Sequence, residues 1–543
     1  MKPNNLKILL PLLLMLFAAL GVFVGSRMNI INPQGNLFSF GYSEKDKLLD
    51  VINYITNDYV DEVDKKSITE RTIEEVLTSL DPHSTYIPPA DLGEIEESMH
   101  GNFYGIGVQF RQWHDTVVVI RVIEGGPSMM AGLRSGDRIV EADGISLIGL
   151  QNDSIMKILK GPQNTQVEVR IFRKGTDSII NSTITRGVIP FESLIAAYWV
   201  DDSTAYFKID RFAATTTQEF RRAAMNLGFD RIKTVILDLQ NNGGGLLSTA
   251  VSLTDEFLEE GKTIVYTQGR KRDKNVMFSS GAMMFANKKV IVLVNESSAS
   301  ASEILAGAIQ DNDRGYIVGR RTFGKGLVQE QITLSDNSAI RLTVARYYTP
   351  TGRCIQKSYK NGKMDYYHEV TNRYLHGEMV NSDSVNVNDS LKYITPGGRV
   401  VYGGGGIMPD IYVPIDTSVN FYFYNSLLSA DVLNDFSFEY YDTHKDRLLK
   451  AYPDEDQFIK RFNVDSKMMA SLRKMAGEEN LRWPDRLSAD VLNEIHIFIK
   501  ARLASNLYGN NAFYKVINQQ DKIYSKAIEF VRNNQDISLM TNR

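Results

Sequence analysis

The spacing of apolar residues changes along the chain and marks out successive regions. Within residues 43–98, Leu48, Leu49, Val51, Ile52, Ile55 and Tyr59 recur at helical spacing, as do Ile73, Val76, Leu77 and Leu80. Asp81-Pro82-His83-Ser84 ends the second helix, and Pro88-Pro89 keeps the break extended. His83 reads as a capping or turn histidine there. Residues 101–187 change to short β-rich runs. Gly105-Ile106-Gly107-Val108 opens a strand, 116–122 forms another, short helices are predicted near 128–131 and 154–160, and 167–173 is a closing strand.

Residues 190–415 read as a mixed β/α body. The buried-type strand 234–239 runs into Gln240-Asn241-Asn242-Gly243-Gly244-Gly245 and a helix over 246–258. The pattern repeats at 289–294, which leads into Asn295-Glu296-Ser297-Ser298-Ala299-Ser300-Ala301-Ser302-Glu303 and a helix to 309. Further strands are expected at 316–318, 327–334 and 339–347. The polar segment 356–392 reads as an insertion, and a glycine-rich turn at 403–410 closes the region. Residues 418–543 return to helical spacing, with the stripe Leu487, Val491, Leu492, Ile495, Phe498 and Ile499 as a packing face. No internal repeat is found.

Length and charge narrow the class. A chain of 543 residues is too long for one ordinary core, so three or more domains are expected. A net charge of -4 leaves no basic excess for nucleic acid. The single cysteine, Cys354, excludes an internal disulfide and a multi-cysteine metal site. At the N-terminus, Lys2 and Lys7 precede an apolar stretch, 8–24, broken only by Pro11 and Gly21. About 17 residues is the lower limit for a spanning helix. The flanking lysines place the N-terminus inside and the rest outside. No small-x-small cleavage site follows, so an uncleaved anchor is preferred over a removed signal, and no nearby cysteine suggests a lipoprotein.

The chemistry gathers where the second strand meets its helix. Lys325 follows Ser300 by twenty-five residues, between Gly324 and Gly326. A serine hydroxyl needs a neighbouring base, and a lysine serves only when burial keeps it neutral. Phe323, Leu327 and Val328 flank Lys325, and no acid lies closer in sequence than Glu330. Gln329 stands where it can orient the amine. The Ala301 N–H and the glycines after Asn242 are natural oxyanion donors. No metal or cofactor is required. The residues alone leave a plainer reading open, with Ser297, Ser298, Ser300 and Ser302 as helix caps, the glycines as a tight turn and Lys325 as a surface charge. A phosphate loop is rejected, since Gly326 replaces the required hydroxyl residue and a strand follows.

Two resemblances tip the balance. The Gly105–Val108 loop, which can hold a terminal carboxylate on backbone N–H groups, and Gly132-Leu133-Arg134-Ser135-Gly136-Asp137-Arg138-Ile139 together resemble a PDZ domain. From Tyr42 to about Asp416 the chain resembles the carboxyl-terminal processing peptidases, tail-specific serine proteases of the bacterial envelope and plastids. The resemblance rests on Ser298-Ala299-Ser300-Ala301-Ser302-Glu303-Ile304, Thr322-Phe323-Gly324-Lys325-Gly326 with Gln329, Leu237-Asp238-Leu239 with Asn242, Asp81-Pro82-His83-Ser84 and Tyr347-Tyr348-Thr349-Pro350-Thr351-Gly352-Arg353. The serine-to-lysine spacing selects Ser300 and leaves Ser302 a helix-capping role at most. Gln240 and Gly243 depart from the family's usual arginine and proline.

The resemblance implies a multidomain α/β fold: a crotonase-like mixed β/α peptidase core, a PDZ domain in series before it, and flanking helical segments. The expected regions are a membrane anchor or signal segment (1–26), a helical region (42–100), a PDZ domain (101–187), a peptidase core (190–415) and a C-terminal helical region (418–543). It further implies Ser300 as nucleophile, Lys325 as base, Gln329 as its positioner, and Ala301 with Gly244 or Gly245 as oxyanion donors. Gly105, Ile106, Gly107 and Val108 would hold peptide C-termini. The expected partners are protein tails, the membrane through the N-terminal segment, and further copies of the chain. The expected location is the periplasmic side of the inner membrane. The rivals are a non-catalytic PDZ adaptor and a protease with a Ser/His/Asp triad.

Overall fold

The computed structural model describes residues 14–20, 44–176, 178–385, 388–415, 417 and 421–533. Most of the expected anchor segment therefore lies outside the described residues; its residues 14–20 are helical and exposed. No helix among the described residues is long and apolar enough to cross a membrane. The chain divides into two units, 1–74 and 75–543. The first carries helix Glu44–Asp58 and the start of Lys65–Leu80. Ile52 is buried there, whereas Leu48, Leu49, Val51 and Tyr59 are exposed, so the apolar stripe read from the sequence is largely uncovered.

In the second unit, the β-rich region forms an antiparallel sheet in the order Val108–Trp113, Thr116–Val122, Arg138–Ala142, Gln166–Phe172, Ile180–Thr185. Val167, Val169 and Ile171 face inward while their neighbours face out, the alternation expected of a half-buried strand. They pack with Ile106, Val117, Val119, Ile139 and Ile155, the last from helix Asn152–Leu159. Val108–Trp113 is an edge strand of this sheet.

The mixed β/α body is built on a six-stranded sheet ordered Leu194–Trp199, Thr204–Ile209, Thr234–Asp238, Lys289–Val294, Tyr316–Gly319, Ile411–Tyr412. Its first pair is antiparallel and the rest are parallel. Every residue of Thr204–Ile209 and Thr234–Asp238 is buried, because both faces are covered. Helices Thr216–Asn226, Leu247–Asp255 and Ala301–Asp311 pack on one face. The other face receives Ile523 and Ala527 of helix Lys522–Asn533. A second, antiparallel sheet joins Leu327–Thr333, Ala339–Tyr348, Thr263–Gln268 and Asn275–Phe278. Thr85–Ile87, read as part of a helical region, adds a strand to it against Ala339–Tyr348.

The polar stretch 356–392 is not a plain insertion. It contains helix Lys363–Leu375, whose Arg373 is buried and donates to the carbonyl of Thr322 at 2.8 Å. Gln356 and Arg373 in this stretch serve the backbone of the lysine turn. The C-terminal helices bury Val491, Ile495, Phe498 and Ile499, as the stripe predicts. That cluster includes Val118 of the β-rich region, with Trp113 packed against it. Arg111 bridges Asp431 and Asp435, and Arg138 meets Asp442 at 2.7 Å.

Candidate active site

The turn after Lys289–Val294 is fastened to the glycine loop by its own side chains. Ser298 Oγ donates to the Leu239 carbonyl at 2.8 Å and accepts from Asn295 N–H at 2.9 Å. Ser302 Oγ donates to the Asn242 carbonyl at 3.0 Å, and the Ala299 N–H meets the same carbonyl at 3.0 Å. Ser302, allowed at most a capping role from sequence, is thus a cross-loop staple. Both hydroxyls are buried beside loop carbonyls that need donors.

Ser300 stands at the N-cap of Ala301–Asp311 with φ 55° and ψ −113°. A non-glycine residue adopts this region only under constraint. Gly244 explains how the constraint is met. Its φ is +105°, and a Cβ there would lie 2.7 Å from Ser300 Cβ and 3.0 Å from Ala301 N. Only glycine lets the loop approach the serine so closely.

Glu303 joins the serine turn to the lysine turn. Its fully buried carboxylate accepts from Ser300 N–H (2.9 Å), Thr322 Oγ1 (2.5 Å), Gly324 N–H (2.7 Å) and Lys325 N–H (2.8 Å). Burial pushes its pKa up, against the pull of those four bonds. The Tyr347 hydroxyl lies between the carbonyls of Ser300 (3.0 Å) and Lys325, clamping the same two turns. Gln356 Oε1 fixes Gly326 N–H at 2.7 Å.

Lys325 is largely buried, and burial lowers its pKa from the usual 10.5; the cation of Arg341 lowers it further. Glu330, the nearest acid in sequence, pairs instead with Arg272 at 2.6 Å. Asp81 and Glu303 come into range through the fold and pull the pKa partly back up, yet desolvation dominates. Lys325 Nζ donates to Gln329 Oε1 at 3.1 Å, and Gln329 Nε2 donates to the His83 carbonyl at 2.6 Å. His83 thus contributes its backbone. Its ring meets Tyr366 Oη at 2.8 Å, and burial, then Lys325, depresses its pKa to about 4. A turn made by Asp81, which accepts from His83 and Ser84 N–H at 2.8 and 2.9 Å, holds it there.

Ser300, Lys325, Gln329, Gly244 and Gly245 line one cavity of about 660 Å³. Ala301 is buried next to it, at the first position of the helix. The serine hydroxyl and the lysine amine share this space without a hydrogen bond between them. Of the two glycines expected to hold an oxyanion, Gly244 has its N–H committed to Asn242 Oδ1 at 2.8 Å, because the asparagine folds back on its own turn. Gly245 N–H has no hydrogen-bond partner among the described residues. Gly105, Ile106, Gly107 and Val108 lie in the β-rich region, and this cavity does not include them. Glu303, Tyr347 and Arg341 enter the site although sequence reading gave them no role; the only signal was the place of the first two within motifs. Among the described residues no cluster suited to a metal ion occurs.

Two family models and the curated relatives define the class. Residues 203–363 match the model of peptidase family S41, 105–184 match a PDZ domain, and 423–509 match a family of unknown function. A carboxy-terminal-processing protease of Bartonella bacilliformis is 34% identical over 352 residues, covering 63% of this chain and 80% of that protein. The carboxy-terminal processing protease CtpA of Bacillus subtilis is 30% identical over 341 residues, covering 63% and 72%. Among solved structures, a photosystem II D1 C-terminal processing protease aligns with 26% identity over 69% of this chain and 88% of its own, at a TM-score of 0.35. The molecule is a serine-type peptidase with a mixed α/β core, a PDZ domain and helical segments. It belongs to the carboxy-terminal processing proteases of peptidase family S41.

Proposed function

We propose that the chain is an envelope endopeptidase that cuts protein C-terminal tails with a Ser300/Lys325 dyad. The observation that carries this reading is the burial of Lys325 beside Ser300 in one cavity, with its pKa lowered. Ser300 Oγ attacks the peptide carbonyl as neutral Lys325 Nζ takes its proton. The Oγ–C bond forms and the carbonyl π pair moves to oxygen, facing the N–H groups of Ala301 and Gly245. Collapse breaks the C–N bond, and Lys325 returns the proton to the departing amine. Water then attacks the ester with Lys325 again as base, and collapse breaks the Oγ–C bond as Lys325 returns the proton to Ser300 Oγ and the new carboxyl end leaves. Gln329, anchored on the His83 carbonyl, keeps the amine in place. The gap between hydroxyl and amine closes when substrate fills the cavity.

In this proposal the tail is held on the PDZ domain by the Gly105–Val108 loop and the unpaired edge of Val108–Trp113, by strand addition. The core belongs to the crotonase-like superhelix class, residues 1–26 anchor the chain on the periplasmic side of the inner membrane, and the helical regions serve as cap or as contact between copies. The strand-to-helix repeats and Lys2 and Lys7 before the apolar stretch support these parts. The test incubates a protein with a free apolar C-terminus with wild type and Ser300→Ala, and sequences the products. Cleavage by wild type with binding alone by Ser300→Ala is expected. Continued cleavage by the variant refutes the nucleophile. Alkaline extraction of fractionated cells checks the anchor, which predicts retention in the membrane pellet.

A further inference from the structure

One arginine of the cavity has no carboxylate ion-pair partner among the described residues. Arg341, on strand Ala339–Tyr348, lines the same space as Ser300, Lys325 and Gln329. It is half-buried, and burial lowers its pKa. Among the described residues no carboxylate forms an ion pair with it. Among the described residues its one side-chain hydrogen bond is long, 3.5 Å to Gln331 Oε1, and the Gln331 amide reaches exposed Glu96 at 3.4 Å. Arg211, which lines the same cavity, and two arginines elsewhere in the core each carry a carboxylate partner. Arg211 pairs with Asp210 at 2.6 Å, Arg321 with Glu378 at 2.5 Å, and Arg353 with Asp311 at 2.7 Å.

Withdrawing a guanidinium from water without a partner costs free energy, and an arriving anion recovers it. The planar fork of arginine matches a carboxylate in two parallel hydrogen bonds. A peptide carries carboxylates in two places, on Asp or Glu side chains and at its C-terminus. We propose that Arg341 is a carboxylate-binding subsite of the cleft, selecting peptides that place an acidic group, side-chain or terminal, beside the bond to be cut. This deepens the Ser300/Lys325 reading and rests on it. Arg341 also depresses the pKa of Lys325, so its loss has two separable effects: one on substrate choice, one on pH dependence.

The test digests a proteome-derived peptide library, once with free and once with amidated C-termini, and maps the cuts by mass spectrometry. Matched acid and amide peptides then give kcat/KM for wild type, Arg341→Gln and Arg341→Lys. Wild type is expected to prefer the acid by roughly ten- to a hundredfold, mostly through KM, the span of a charged hydrogen bond. Enrichment of Asp or Glu at one fixed position marks a side-chain source; loss of that preference on amidation marks a terminal one. Arg341→Gln should abolish the preference and Arg341→Lys should retain part of it, neither variant melting below wild type. An unchanged preference in Arg341→Gln assigns it to the PDZ domain and overturns the subsite. So does a shifted pH profile with no change in acid preference, or a wild type indifferent to acid. Ser300→Ala, run in parallel, separates the two claims. Cutting by that variant removes the dyad reading, whereas its loss beside an unchanged Arg341→Gln preference removes only the subsite.

Discussion

Removing the Glu303 carboxylate strands four donors, of which the Thr322 hydroxyl and the Gly324 N–H are buried. Each buried donor left unmade costs about 1–3 kcal/mol, so Glu303→Ala is expected to destabilise the protein by about 3 kcal/mol or more and to lower kcat sharply. Chemical denaturation and steady-state kinetics check both. Lys325 makes the opposite trade. Its folded pKa lies below the unfolded value of 10.5, so the unfolded chain binds the proton more tightly in that window. Its contribution to stability therefore rises with pH between the two values and is unfavourable below both. Lys325→Met should raise the melting temperature by about a few degrees while abolishing activity, as expected where function keeps a buried charge. Gly244→Ala should inactivate for a steric reason, because its Cβ would collide with Ser300 Cβ and the backbone at Ala301. Ser300, Lys325 and Gln329 could be nominated from the sequence because each sits in a motif of the resemblance, at the spacing that it implies. Glu303 and Tyr347 were given no roles because their partners outside the serine turn lie 19 or more positions away and neither residue type announces such a contact.

At the scale of elements, periodicity placed the strands 234–239 and 289–294 and their helices well, since a strand covered on both faces reads as an unbroken apolar run. It could not place helix Lys363–Leu375, whose buried residues include Tyr366 and Arg373, a polar pattern that resembles a surface excursion. Nor could it show what the Gln240 side chain does. Gln240 Nε2 donates to Asp521 Oδ2 at 2.6 Å, at the start of helix Lys522–Asn533, while Lys208 holds its carbonyl. The loop carrying Gly244 and Gly245 is thus tied to the C-terminal helices. Asp521→Ala should lower kcat more than it changes KM and loosen residues 240–245 in hydrogen exchange. Unchanged protection there would show that the contact plays no part.

Across the whole molecule, the PDZ domain is not free of the C-terminal helices. Arg111 and Arg138 reach Asp431, Asp435 and Asp442, and Trp113 lies 5.8 Å from Phe438, ring to ring. Each part-exposed pair contributes about 1 kcal/mol or less, so Arg111→Ala with Arg138→Ala should release the PDZ sheet without unfolding it. Faster hydrogen exchange over 108–122, with the core unaffected, is the expected readout. None of this contact was legible in the sequence, because the paired residues are separated by about three hundred positions and neither side carries a motif for the other. The claim that organises all three scales is that Lys325 is the base. Its most direct test measures kcat/KM for wild type, Lys325→Ala and Lys325→Arg on one protein with a free apolar C-terminus, from about pH 6 to 10. Wild-type activity should climb with pH on a limb below 10.5, and both variants should fall by roughly a thousandfold or more at every pH while keeping their fold. Near wild-type cleavage by Lys325→Ala at any pH would contradict it.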